Sequence, residues 1–327
     1  MKQIFNFLFV FLLVSCSTTS ISPTATFIPQ ATFTRTASAG PSLTDVMSPT
    51  QMLPPTSIPI PTIETATATI IPCDPKVEDF CISEGHFIFQ RPIRSPFYNS
   101  VDPTYPYGST ARGTRDPHHG VEFQSPFGTP VHAAGDGVVL YAGPDEKAIY
   151  SPWANFYGNL IVIEHENNLF TLYAHLSKIE VKSGDAIHEG DKLGEVGQSG
   201  AATGSHLHFE VRRGEVEDYF STVNPELWLA STTNDSGAIA ISIVDQNAEF
   251  QIAELTISYY LDRSQPPVMS YYANTYSRDL ATGEENAAVS DLTPGDYRIA
   301  FTMNGRVYER WVEVKSGRLT QVVFVVK

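Results

Sequence analysis

Between residues 73 and 230, apolar side chains come in short runs that glycines interrupt. Three of these runs, 138–141, 160–163 and 169–173, contain four or five residues drawn mainly from Val, Ile, Leu and aromatic types. Runs of this length and composition are typical of β-strands. The region lacks the 3.6-residue apolar period of an amphipathic helix. It therefore predicts an all-β domain built from short strands and tight turns.

A second β-rich region is expected at 236–327. Apolar and polar side chains alternate along 297–303, as they do on a half-buried strand. The dipeptide Asn304-Gly305 then offers a two-residue hairpin turn, because both residues tolerate a positive φ. The segment 307–314 supplies the returning strand. The sequence predicts a small β-sandwich as a second domain.

The first 16 residues predict a signal peptide. Lys2 precedes an apolar run at 4–14, which is long enough for a signal sequence but too short to span a bilayer. The run ends in Leu-Val-Ser and Cys16, a sequence that resembles the lipobox of bacterial lipoproteins. That resemblance implies an exported, extracytoplasmic protein that a lipid on Cys16 anchors to the membrane of the cell envelope. The alternative is an ordinary secretory signal in which the cysteine occurs by chance.

Residues 17–72 predict a disordered linker between this anchor and the folded part. They are rich in Thr, Pro, Ser and Ala, and only Arg35, Asp45 and Glu64 are charged. A segment of this composition buries too little apolar surface to offset the entropy lost on ordering. The linker would hold the folded part well clear of a membrane.

Two further cysteines, Cys73 and Cys81, follow the linker. In an exported protein, cysteines this close in sequence can close a small disulfide loop. The alternative is a pair of free thiols. Because the two residues begin the folded part, we expect a structural disulfide rather than a redox site.

The balance of charge excludes one class of partner. The chain has 21 Lys and Arg against 36 Asp and Glu, a formal net charge of −15. Binding to a phosphate backbone needs clustered basic residues. We therefore do not expect a nucleic-acid-binding protein.

Histidines and a carboxylate occur in two patterns that suit a metal ion. On a strand, His118 and Glu122 would share one face, and Gly120 between them would leave room for an ion. His206 and His208 would also share a face. Two imidazoles and one carboxylate make a three-ligand zinc site with an open fourth position, and further histidines could act as general bases. Each pattern taken alone is also compatible with structural histidines.

The region from about 115 to 225 combines these patterns with a shared framework, and there it resembles the lysostaphin and LytM type of zinc metallopeptidases. The motifs that carry the resemblance are His118-x-Gly120-x-Glu122, Gly128-Thr129-Pro130-Val131, Asp136-Gly137-Val138-Val139, Tyr173-Ala174-His175-Leu176, His206-Leu207-His208-Phe209-Glu210 and Val223-Asn224-Pro225. The resemblance implies a β-rich duplicated-hybrid-motif fold at 73–230 and hydrolysis of peptide bonds in the stem peptides or cross-bridges of peptidoglycan.

Carried over residue by residue, the resemblance assigns His118, Glu122 and His208 as ligands of one zinc ion per chain. It assigns His175 and His206 as catalytic histidines. The remaining histidines are expected on the surface or in the framework; they are His86, His119, His132, His165 and His188.

One residue departs from the family pattern, which has Asp where this chain has Glu122. The extra methylene displaces the carboxylate by about 1.5 Å unless the backbone or rotamer adjusts. A weak or inert domain that binds peptidoglycan or activates another wall hydrolase is therefore one alternative. Independently of Glu122, an amidase that cuts between sugar and peptide is a second alternative.

The sequence around Gly295, Leu-Thr-Pro-Gly-Asp-Tyr, resembles carboxypeptidase-regulatory-like, prealbumin-type sandwiches. The resemblance covers only the C-terminal domain. That domain either contacts the wall or a protein partner, or it stabilises its neighbour.

Overall fold

The computed structural model describes residues 73–233, 235–276, 278–280 and 284–327. The predicted signal peptide, Cys16 and the linker lie outside these residues. Within the described part, no helix is both long enough and apolar enough to cross a membrane.

The prediction of an all-β fold is confirmed, and the glycine-punctuated runs of the first domain are strands. The strands of the N-terminal half are β1 (Cys81–Ser83), β2 (Val121–Gln124), β3 (Pro130–His132), β4 (Gly137–Pro144), β5 (Asn159–His165), β6 (Leu169–Ala174), β7 (Leu176–Ile179), β8 (Ala186–Ile187), β9 (Lys192–Val196), β10 (His206–Arg213) and β11 (Thr222–Val223).

The strands of the C-terminal half are β12 (Gly237–Val244), β13 (Glu254–Tyr260), β14 (Met269–Asn274), β15 (Ala287–Leu292), β16 (Gly295–Met303), β17 (Arg306–Val314) and β18 (Leu319–Val325). The helical segments of the described residues are short 3₁₀ turns at Glu166–Asn168, Pro225–Leu227 and Arg278–Leu280.

Two sheets build the N-terminal half. The larger has the order β11-β10-β6-β5-β4-β8, and β2 pairs with the first half of β10. The smaller has the order β3-β9-β7. Side chains of both sheets, such as Ile161, Tyr173, Leu193 and Phe209, share one apolar core. This core fixes β2 and β10, the strands that carry the candidate site.

The C-terminal half is a sandwich of two four-stranded sheets, β1-β18-β12-β15 and β14-β13-β16-β17, around a second core. The predicted hairpin is confirmed, because Asn304 and Gly305 have φ values of 51° and 74° and Met303 pairs with Arg306. The domain boundaries at 73–230 and 236–327 stay a prediction. The pairing of β1 does not follow them. This strand from the N-terminal segment lies in the C-terminal sheet, paired with β18.

Cys73 and Cys81 form a disulfide, with Cα atoms 5.7 Å apart. The bond lies beside β1, so it closes a loop at the edge of the C-terminal sheet. The two halves also share apolar contacts: Ala240, Tyr276 and Leu319 of the sandwich belong to the core of the N-terminal half. The buried Arg91 donates a hydrogen bond to Asp291 of the sandwich at 2.8 Å.

Candidate metal centre and groove

Strand pairing brings the two histidine patterns together. β2 runs antiparallel to β10, and Glu122 lies directly opposite His208. The expectation that His118 also lies on this strand is wrong, because β2 begins only at Val121. Backbone hydrogen bonds to a preceding loop position His118 instead: its carbonyl accepts from the Gly108 N–H at 2.7 Å, and its N–H donates to Ser109 at 2.9 Å.

Three donor atoms of these residues form a compact triangle. His118 Nε2 lies 3.0 Å from Glu122 Oε1, and His208 Nδ1 lies 3.1 Å from the same oxygen. The two nitrogens are 3.2 Å apart. A tetrahedral zinc ion with bonds of about 2.0–2.1 Å holds its ligands roughly 3.3 Å apart. The triangle therefore fits one face of such a tetrahedron, and the longer Glu122 side chain reaches this geometry.

Hydrogen bonds at the far side of each ring direct these nitrogens. His118 Nδ1 donates to the carbonyl of Tyr105 at 3.0 Å, which leaves the Nε2 lone pair free. His208 Nε2 lies 3.0 Å from Glu210 Oε1 and donates to it. A histidine ligand with its second nitrogen bound to a carbonyl or carboxylate is the usual arrangement in metal sites.

The second oxygen of Glu122 has no matching partner. Glu122 is buried, and its Oε2 lacks a hydrogen bond within the described part of the chain, although His206 Nε2 lies 3.0 Å away. Burial raises the pKa of this carboxyl, but the adjacent His208 and His118 outweigh burial, so the pKa lies well below its usual value. A buried, ionised carboxylate with an unsatisfied oxygen suits a cation.

Gly120 has a different role from the one expected. A Cβ atom at this position would lie 2.5 Å from the Phe209 carbonyl and 2.8 Å from His208 Cε1. The glycine therefore admits strand β10 and the His208 ring, rather than leaving space for an ion.

The two predicted catalytic histidines lie beside the triangle. The His175 ring is 4.9 Å from that of His206 and 5.7 Å from that of His208, between centroids. His175 Nδ1 donates to the Ser199 carbonyl at 2.8 Å. Burial, with the nearby charges of His208 and His206, lowers the pKa of His175 to about 3. Its imidazole is therefore neutral, and Nε2 carries a free lone pair that can accept a hydrogen bond.

The five residues line an open groove of about 660 Å³. Trp153, Phe156 and Tyr219, whose rings contact one another, form an aromatic wall of the groove, and Tyr105 and Arg115 also line it. No local sequence pattern predicts this wall, because Trp153 and Phe156 come from the loop between β4 and β5 and Tyr219 comes from the loop between β10 and β11. A groove with aromatic and polar walls suits an extended chain of alternating polar and apolar groups.

A fully buried network behind His208 was also missed. Glu210 accepts hydrogen bonds from Tyr157 at 2.6 Å and from Arg212 at 2.8 Å. Burial raises its pKa, but Arg212 and His208 outweigh that and lower it to about 2. One face of β10 carries His206, His208, Glu210 and Arg212 at alternate positions, and this spacing predicts that neighbouring side chains of the set pair with one another.

Of the remaining histidines, His119 also lines the groove and stacks on Tyr219 of the aromatic wall. His119 and His165 are buried, and each hydrogen-bonds a backbone carbonyl. His188 is exposed.

A family model described as Peptidase family M23 matches residues 116–221. The peptidoglycan DD-endopeptidase ShyA of Vibrio cholerae is 44% identical over 95 residues, which make up 29% of this chain and 20% of ShyA. The cell division protein DipM of Caulobacter vibrioides is 32% identical over 177 residues, 54% of this chain and 25% of DipM. The chain thus spans between a fifth and a quarter of the length of these curated relatives.

Among solved structures, a mutant catalytic domain of the prophage-encoded M23 protein EnpA from Enterococcus faecalis is 31% identical, with a TM-score of 0.35. The match covers 42% of this chain and 95% of that domain. The matched segment of the family model contains every candidate ligand and both candidate catalytic histidines. Residues 116–221 of this chain are a peptidase family M23 domain of the lysostaphin and LytM type.

Proposed function

We propose that the chain is a zinc-dependent endopeptidase that hydrolyses peptide bonds of peptidoglycan, in a stem peptide or a cross-bridge. The observation that carries the proposal is the triangle of His118, Glu122 and His208 donor atoms, 3.0–3.2 Å apart, at the base of an open groove. The DD-endopeptidase activity named for ShyA supports the substrate class.

His118, Glu122 and His208 would hold one zinc ion per chain. When bound, zinc supplies Lewis acidity, which polarises a carbonyl group and makes water a stronger nucleophile near neutral pH. The Glu210 carboxylate keeps the His208 ring oriented through Nε2, and the Tyr105 carbonyl does the same for His118.

His175 and His206 would handle protons and charge. His175 is neutral and lines the groove, so its Nε2 lone pair can accept a hydrogen bond from the attacking water and orient it. His206 Nδ1 donates to the Gly204 carbonyl at 2.9 Å, and its Nε2 lies 3.0 Å from Glu122 Oε2; once protonated, Nε2 can donate a hydrogen bond to the oxyanion of the tetrahedral intermediate. The aromatic wall would hold the peptide chain in register with these groups.

The proposal is tested by digesting purified peptidoglycan with the metal-free chain, with the zinc-restored chain and with the His208→Ala variant. We expect new peptide termini, identified by mass spectrometry, only with the zinc-restored wild-type chain. Termini produced equally by the metal-free chain or by His208→Ala would overturn it. Products cleaved between sugar and peptide would indicate an amidase instead.

One observation favours a second function. Glu122 stands where the family has Asp, which would fit an inert domain that binds peptidoglycan or activates another wall hydrolase. Elemental analysis separates the two proposals: an enzyme should purify with about one zinc per chain, and an inert binder without it.

We further propose that a lipid on Cys16 anchors the chain to the membrane and that residues 17–72 let the peptidase reach the wall. Metabolic labelling with a radioactive fatty acid, compared between the wild-type chain and Cys16→Ser, tests the anchor. Equal labelling of both would contradict it.

A further inference from the structure

The loop that positions His118 does not rest on the peptidase domain alone. The carbonyls of Tyr105 and Pro106 face His118 Nδ1 at 3.0 and 3.3 Å, and the Tyr105 ring stacks on the imidazole with centroids 4.1 Å apart. Two backbone hydrogen bonds then tie Gly108 and Ser109 to His118. The conformation of 105–109 therefore decides where His118 Nε2 points.

A tyrosine from the C-terminal sandwich packs directly against this loop. Tyr276 meets the Tyr107 ring edge-on, with centroids 4.9 Å apart and an interplanar angle of 87°. At Gly108, where φ is +75°, a Cβ atom would lie only 2.7 Å from Tyr276 Cδ1. The loop backbone thus approaches the Tyr276 ring as closely as a glycine allows.

Both ends of this contact are held firmly. Tyr276 is 2% exposed, its N–H donates to Asn286 of the sandwich, and its hydroxyl accepts from Asn224 Nδ2 at 2.6 Å. On the other side, the Tyr107 hydroxyl donates to the Thr222 carbonyl at 3.0 Å. The sandwich, the loop and the end of the peptidase sheet therefore form one continuous packed unit.

We propose that Tyr276 is a positioning residue of the metal centre, through which the C-terminal sandwich holds the 105–109 loop and hence the His118 ligand. The inference rests on the proposed metal centre. It assigns the sandwich a part in building the site, which a separately folding wall-binding module would not have. Removing the ring opens a cavity beside Gly108 and Tyr107, and the loop carbonyls then lose their fixed distance to His118 Nδ1.

The test measures zinc affinity, by competition with a chromophoric chelator, for the wild-type chain and for Tyr276→Ala, Tyr276→Phe and Tyr297→Ala. Tyr297 is the matched control: it is a fully buried tyrosine of the same sandwich whose hydroxyl donates to the Thr293 carbonyl at 2.7 Å, and it belongs to the other core. We expect Tyr276→Ala to weaken zinc binding about tenfold, in the range of outer-shell substitutions. Tyr276→Phe keeps the ring and should bind as the wild type does.

A second readout does not depend on metal. In the metal-free chain, the His118 Nδ1 proton is shared with the Tyr105 carbonyl, and its NMR resonance should exchange slowly with water. We expect faster exchange in Tyr276→Ala and no change in Tyr297→Ala. Where Tyr276→Ala folds poorly, Tyr276→Leu retains most of the buried volume and should show the same direction.

The outcomes separate this inference from the proposed function. Wild-type affinity in Tyr276→Ala, or an equal loss in Tyr297→Ala, overturns the role of Tyr276 while the metal centre stands. If the wild-type chain and His208→Ala both fail to bind zinc, the metal centre is wrong. The exchange of the His118 proton then still decides whether Tyr276 positions that ring.

Discussion

Two buried glutamates flank one imidazole, and their surroundings are opposite. Glu122 on β2 lies 3.1 Å from His208 Nδ1, and Glu210 on β10 lies 3.0 Å from His208 Nε2. Arg212, fully buried, pairs with Glu210 at 2.7 Å, and Tyr157 donates to the same carboxylate. Glu122 has only imidazoles around it, and one of its oxygens has no hydrogen bond among the described residues.

The different surroundings of the two carboxylates suit them to different roles, one structural and one chemical. The buried guanidinium of Arg212 neutralises Glu210, so this carboxylate has its ionic partner within the fold and orients the His208 ring. Glu122 faces only imidazoles and has no guanidinium or ammonium partner within the described part of the chain, so the same residue type is available to a metal cation here. The comparison can be tested by changing each carboxylate or its partner in turn.

The largest effect is expected from Glu122→Gln, which removes the negative charge from the triangle of His118, Glu122 and His208 donor atoms. We expect peptidase activity to fall roughly 1000-fold or more, because the Lewis acid supplies several kcal/mol and each 1.4 kcal/mol is a factor of ten. Initial rates on purified peptidoglycan and zinc content measure this.

The matched control is Glu210→Gln, the same change on the opposite side of His208. It should retain zinc, with affinity weaker by about 10- to 100-fold. If Glu210→Gln lost zinc completely while Glu122→Gln retained it, the roles assigned to the two carboxylates would be reversed.

Arg212→Met should destabilise the fold most, because it leaves Glu210 buried without its cation. Removing one partner of a buried pair costs about 3–5 kcal/mol. Arg212 also donates to the carbonyls of Val216 and Tyr150, which would lose their partners. Urea unfolding measures the loss, and the double variant Arg212→Met with Glu210→Gln should recover part of it. A double variant no more stable than the single one would contradict the pairing argument.

Local sequence patterns predicted the parts of the site that lie on strands. The strands themselves and the shared face of His206 and His208 follow from short-range spacing, whereas the assignment of the five site residues came from the family resemblance. The position of His118 does not, since β2 begins three residues later and a loop holds the ring. Tyr276 lies more than 150 residues from that loop, and no local pattern encodes a contact between side chains so far apart.

Glu210 could have been predicted and was not. On a strand face that already presents His206 and His208, the next two positions are Glu210 and Arg212, and four polar side chains on a buried face imply mutual pairing. The pairing of β1 with β18, by contrast, could not have been predicted from the sequence. Its register joins Cys81 to Gln321, and a three-residue strand contains too little pattern to reveal its partner.

A third buried carboxylate, Glu285, extends the comparison to pH. It is 5% exposed. Burial first, and then the neighbouring Glu284, raise its pKa to about 7. Since the pKa of Glu285 is higher in the folded than in the unfolded state, the folded state binds more protons between pH 4.5 and about 7. The protonated carboxyl therefore contributes stability below pH 4.5, and this contribution is lost as pH rises through about 7. We expect Glu285→Gln to reduce the loss of stability between pH 5 and pH 8 by about 2 kcal/mol.

Urea titrations of the wild-type chain and Glu285→Gln at the two pH values measure that difference. Glu284→Gln is the comparison variant: Glu284 is half exposed and pairs with Arg213 at the surface, and its charge is the smaller of the two causes that raise the Glu285 pKa, so this variant should change the pH dependence less than Glu285→Gln does. Parallel pH dependence in the wild-type chain and Glu285→Gln would show that Glu285 is ionised without cost.

The smallest effect, and the finest test of the metal triangle, is expected from Glu122→Asp, which restores the family residue. In this chain Oε1 already lies 3.0–3.1 Å from both histidine nitrogens, so the backbone of β2 suits the longer side chain. Shortening it withdraws the carboxylate by about 1.5 Å, where ligand distances must hold within about 0.2 Å. We expect zinc affinity to fall about tenfold, a cost of about 1.4 kcal/mol, measured by chelator competition. Tighter binding by Glu122→Asp would instead show that β2 keeps the spacing of its Asp-containing relatives and that Glu122 is a poorly fitted ligand, which favours the inert binding function.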